Sequence, residues 1–84
     1  MMALDPNTDA KAIEKLMPKA NYRPEAVARL LDVSVFSIRR MVHRGELEGA
    51  KVCGGLRILR ASIWAYLLRT GLDVNFADLS EGTR

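Results

Sequence analysis

Arg39, Arg40, His43 and Arg44 crowd four basic side chains into six consecutive positions. On a helix, at about 100° per residue, they share one arc with Phe36 and Ser37, while Val35, Ile38, Met41 and Val42 occupy the other. Arginine in such a stripe can fork onto a guanine edge or grip a phosphate, and the stripe is about as wide as a major groove admits. The competing reading is a plain solvated face. Catalytic constellations are missing by contrast. His43 is the sole histidine and Cys53 the sole cysteine, so no Ser-His-Asp or Cys-His arrangement is available. The acids are scattered rather than grouped for a metal, and Gly54-Gly55 lacks the Lys-Ser/Thr that completes a phosphate-cradling loop. No enzymatic activity, metal or cofactor is therefore expected.

The charge distribution agrees with a polyanionic partner. The 84 residues carry a formal net charge of +3. Residues 22–69 hold nine Lys/Arg against four Asp/Glu, the first 21 balance three against three, and the last fifteen hold three acids and only Arg84. Positive charge thus gathers in the middle, which suits nucleic acid. A lone cysteine excludes an internal disulfide or thiolate cluster and fits a reducing compartment. The first nine residues lack the apolar core of a signal peptide and no run approaches a membrane span. The expectation is a soluble cytoplasmic protein, prokaryotic or phage-borne and associated with the nucleoid, with no membrane partner.

These cations need elements to hold them. Asn7 or Thr8 can cap a short N-terminal helix bearing Ile13, Leu16 and Met17, which Pro18 stops. Pro24 suits the first position of a second helix, with Val27, Leu30 and Leu31 on one face. Asp32-Val33 breaks the pattern. Ser34 then caps a third helix running to about Arg44, where Gly45 ends it. Two short helices joined by so tight a turn form a helix-turn-helix unit. Beyond Gly49 the period changes: residues 50–53 and 56–59 read as two strands around a Gly54-Gly55 turn. A fourth helix spans roughly 61–69 and ends at Thr70-Gly71. The expected class is mainly α with a small β-hairpin and a short N-terminal helix. It divides into an N-terminal extension (1–21), a DNA-binding domain (22–70) and a C-terminal tail (71–84) that is either flexible or contacts an oligomer.

Several residues admit two readings. Phe36, a large apolar side chain inside the polar arc, either contacts thymine methyls and sugar or folds back over the helix start. His43 either binds phosphate when protonated or has no special role. Lys51, Arg57 and Arg60 beside the glycine tip can approach the sugar-phosphate rails or the minor groove, or can simply be wet. In the last helix Ile63, Tyr66 and Leu67 form one apolar arc, while Trp64 and Leu68 form a second, so both sides need cover. Either the N-terminal helix packs there or a neighbouring copy does.

The segment from Tyr22 to Leu68 resembles the excisionase family of winged helix-turn-helix proteins, relatives of the MerR DNA-binding head. The matching stretches are E-A-V-A-R-L-L at 25–31, V-S at 33–34, R-G-E-L at 44–47, G-G-L-R-I at 54–58, and a closing helix with Tyr66. The resemblance implies that the helix of 34–44 enters the major groove and that the hairpin of 51–57 acts as the wing. The DNA-contacting residues are then Ser34, Phe36, Ser37, Arg39, Arg40, His43 and Arg44 on the helix, with Lys51, Gly54, Gly55, Arg57 and Arg60 at the wing. It further implies an excision factor, or recombination directionality factor. Such a protein binds double-stranded DNA at adjacent attachment sites, self-associates cooperatively, bends the duplex and biases an integrase toward excising a mobile element. Smooth elastic estimates put a 40–90° bend at roughly 1–6 kcal/mol, to be repaid by contacts.

Three positions depart from the family pattern. Arg23 stands where a Thr or Ser cap is usual, Asp32 replaces a turn glycine, and Trp64 replaces a polar residue, which makes Trp64 and Leu68 candidate oligomer contacts. The leading alternative is a small MerR-like transcriptional regulator or repressor, which needs the same groove contacts. A pure protein-interaction module using Trp64, Leu68 and the tail is a further rival.

Overall fold

The computed structural model describes residues 10–79. Asn7 and Thr8, expected as caps, and residues 80–84 of the expected tail lie outside them. The order of elements is α1 (Ala10–Leu16), β1 (Asn21–Tyr22), α2 (Pro24–Leu31), α3 (Val35–His43), β2 (Gly49–Val52), β3 (Gly55–Leu59), α4 (Arg60–Thr70) and a 3₁₀ turn at Phe76–Leu79.

The helix-turn-helix is set by its caps. Pro24 opens α2 with no side-chain cap from Arg23. Asp32 takes the left-handed conformation at φ 58° and ψ 48°, and the Val33 amide reaches back to the Ala28 carbonyl at 3.0 Å. An aspartate tolerates this backbone better than most residues do, so the turn closes without glycine. Ser34 then starts α3, its Oγ accepting from the Ser37 amide at 3.0 Å. A bond from the Glu46 amide to the Met41 carbonyl closes the other end, at 2.8 Å.

The sheet differs from the expectation in two ways. It has three antiparallel strands rather than a lone hairpin, in the order β1-β3-β2. Asn21 pairs with Leu59 and Tyr22 with Ile58, which places β3 in the centre. The hairpin also turns one residue earlier than expected. Val52 pairs with Gly55, so the loop is Cys53-Gly54, with both residues at positive φ (51° and 81°). Two successive positive φ values define the type I′ turn, whose twist matches that of the flanking strands. Gly54 takes this conformation freely; Cys53 takes it as a non-glycine residue.

One apolar core unites these parts. Tyr22, Val27, Ile38, Leu47, Ile58, Ile63 and Leu67 are all essentially inaccessible. The Tyr22 hydroxyl accepts from the Lys19 amide at 2.9 Å, so its burial leaves no orphan. The second apolar side of α4 is covered from within the chain. Trp64 is buried and stacks on Phe76, with ring centroids 6.2 Å apart and planes at 29°. Phe76 comes from the segment after α4, whose Val74 and Leu79 also enter the core. The 3₁₀ turn packs on α2, where Arg29 Nε donates to the Asp78 carbonyl at 3.3 Å. Residues 71–79 therefore form part of the folded body. Leu68 is half-buried against the same core.

Candidate nucleic-acid interface

The two arcs of α3 separate as the spacing predicts. Ile38 and Met41 are buried, and Val35 and Val42 are half-buried against the core. Arg39, Arg40, His43 and Arg44 are exposed on the other side, and Phe36 is 68% exposed. Phe36 does not fold back over the helix start. Its ring lies beneath the Arg40 guanidinium, 5.8 Å from the centroid. That pairing holds an apolar plate and a cation side by side on the open face, where a cation–π contact contributes about 0.5–1 kcal/mol.

Not every side chain expected on this face is equally available. The Ser34 hydroxyl is committed to the start of the helix: it accepts from the Ser37 amide and donates to Ser37 Oγ at 3.0 Å. Ser37 keeps its own hydroxyl proton for an outside acceptor, because a hydroxyl donates once and accepts twice. Arg44 caps α3 rather than lying within it, and it forks onto Glu46, with Nη2 at 2.8 Å and Nε at 3.2 Å from the same carboxylate oxygen. Exposed pairs of this kind contribute about 0.2–1 kcal/mol, so a phosphate can compete for Arg44.

The hairpin packs on α2 and α4 through β3 and comes near α3 at Gly49. A Cβ on Gly49 would sit 2.8 Å from Leu56 Cδ1 and 3.3 Å from Val42 Cγ1, so the strand meets the helix where no side chain intervenes. Lys51, Gly54 and Gly55 are exposed toward the tip, and Arg57 is half-buried on β3. Arg60 belongs elsewhere. It is the first residue of α4, and its Nη1 donates to the Met17 carbonyl at 2.9 Å, while its amide donates to Ala20 at 2.8 Å. These bonds fasten the N-terminal segment to the end of β3, so the expected wing contact by Arg60 has no counterpart in the hairpin.

Between the start of α2, α3 and the hairpin lies an open cleft of about 480 Å³. Arg23, Arg39 and Arg57 line it, together with Glu25, Leu56 and Cys53. Arg23 was visible in the sequence only as an irregular cap; that it shares a cleft with Arg39 depends on long-range packing that periodicity does not report. Among the described residues there is no group of three or more His, Cys, Asp or Glu placed to hold a metal ion. None of the described helices is long and apolar enough to cross a membrane.

Comparison with known proteins places this geometry. No curated protein and no solved structure matches the chain. A family model described as a helix-turn-helix domain matches residues 22–71, which takes in both helices of the turn, the hairpin and α4, and begins at Tyr22 of β1. That family includes excisionase-like proteins. The chain, with its paired short helices and the basic outer face of the second, belongs to the helix-turn-helix domain family and is a DNA-binding protein of that kind.

Proposed function

We propose that this protein is an excision factor: it binds and bends duplex DNA at attachment sites and steers an integrase toward excision. The observation that carries the reading is the outer face of α3, where Arg39, Arg40 and Phe36 stand exposed near a hairpin whose Gly49 approaches the same helix at Val42. In this reading α3 lies in the major groove. Arg39, Arg40, His43 and Arg44 meet base edges or phosphates, Ser37 donates its hydroxyl proton, and Phe36 covers a thymine methyl. The hairpin is the wing, with Lys51, Arg57 and the open backbone of Gly54 and Gly55 at the sugar-phosphate rails. Copies bind adjacent sites cooperatively, and the recombinase supplies all bond-breaking chemistry.

The test combines binding with recombination. Arg39→Ala with Arg40→Ala should weaken duplex binding by about 10- to 100-fold or more, at roughly 1–3 kcal/mol per lost base contact, with the unfolding midpoint unchanged. Wild-type affinity should fall steeply with salt. Purified protein, integrase and an attachment-site plasmid then decide the role. Excision that proceeds equally well without the protein removes the excision reading. Occupancy and repression of a promoter under the same conditions would install the rival, a small MerR-like regulator.

A further inference from the structure

We infer that the cleft between α2, α3 and the hairpin seats a backbone phosphate of the bound duplex, held by Arg23, Arg39 and Arg57. The inference rests on the DNA-binding reading above and adds Arg23 as a binding residue. Three arginines from three separate elements line one opening. Arg23 stands at the N-cap of α2, where a short polar side chain would supply a hydrogen bond that Arg23 does not make. A cation at that end also opposes the helix dipole. Local helix chemistry thus disfavours arginine here on two grounds. Glu25 also lines the cleft and offsets part of its positive charge. A phosphodiester oxygen entering the cleft meets planar forks suited to it, beside a hairpin side formed by Val52, Cys53, Gly55 and Leu56. Arg39 is then a phosphate contact, which leaves Arg40 and Phe36 to face the bases. The cleft also couples the helix and the hairpin through one shared ligand.

The test uses the whole chain and a mixed-sequence duplex of about two turns. Each phosphate contact contributes about 0.9 to the slope of log affinity against log salt. Arg23→Ala should therefore bind more weakly, and the gap between it and wild type should shrink about threefold between 50 and 200 mM salt. Arg69→Ala removes the same charge outside the cleft and should keep close to the wild-type slope. An Arg23→Ala protein that binds with the wild-type slope, or a matching change in Arg69→Ala, overturns the phosphate seat while leaving DNA binding in place. Inorganic phosphate that binds wild type but not Arg23→Ala, without weakening duplex binding at equal ionic strength, assigns the cleft to free phosphate and overturns the seat as well. Methylphosphonate substitution along the duplex needs no variant: wild type should lose affinity at one defined position, and uniform insensitivity refutes the seat. Wild-type protein that binds no duplex at any salt fails the underlying reading instead.

Discussion

Helices α3 and α4 each carry a large aromatic residue off their main apolar arc, and the two meet opposite fates. Trp64 on α4 is buried against Phe76, which the chain brings back from beyond the helix. Phe36 on α3 is left 68% exposed with the Arg40 guanidinium above it. The sequence pattern around the two is similar; what differs is whether a later segment returns to cover the second side. On α4 the off-arc ring enlarges the core. On α3 no segment among the described residues returns, and an uncovered ring among arginines is the kind of surface that a partner completes.

The contrast can be broken most forcefully at Trp64. Trp64→Ala should destabilise the fold by about 3–5 kcal/mol, read as a fall in the urea midpoint. In a domain this small that leaves much of the protein unfolded. An unchanged midpoint would mean that Phe76 and Val74 do not close that side. A smaller effect is expected where the buried side of α3 meets the hairpin. Gly49→Ala places a methyl group against Leu56 Cδ1, the Arg57 carbonyl and Val42 Cγ1 and should cost about 1–3 kcal/mol, because the Leu56 side chain must shift and the other two neighbours must give by a few tenths of an ångström. Duplex binding should suffer beyond the loss of stability, since the hairpin is pushed from α3; affinity that merely tracks the folded fraction would refute that geometric link. The smallest effect belongs to Phe36. Phe36→Ala should lower stability by no more than about 0.5–1 kcal/mol, the worth of its contact with Arg40. Replacing thymine by uracil in the bound duplex should cost wild type about 0.8 kcal/mol per covered methyl and the variant nothing. Equal sensitivity of the two proteins to uracil removes Phe36 from the methyl contact.

How far the sequence could be read follows from the range of the interactions involved. The helix-turn-helix was legible almost residue by residue, because Pro24, Ser34 and Gly45 act within one turn of where they stand and Asp32 accepts a left-handed backbone locally. The split of α3 into Ile38 and Met41 against Arg39, Arg40 and His43 was legible for the same reason: periodicity is a local property. The turn residues of the hairpin were misread by one position, since two adjacent glycines invited a centre at Gly54-Gly55 while strand register selects Cys53-Gly54. Strand β1 was invisible, because two residues carry no alternation and Asn21-Tyr22 becomes a strand only where Ile58 and Leu59 present an open edge. The segment holding Val74, Phe76 and Leu79 follows neither period, and its apolar residues make sense only once α2 and α4 are side by side. Arg60 looked like a wing cation from its neighbours in the chain. Its partner is Met17, 43 positions away.

A loop of only two residues makes the hairpin a finger of set length. Four rungs pair Gly49–Val52 with β3, and at about 3.3 Å per residue they project roughly 10 Å. The longest dimension of the described molecule is 34 Å, about the rise of one full turn of duplex. The described body thus matches one turn of a double helix in length, and if copies sit side by side on a longer site, the spacing of their contacts is ruled by the size of this body.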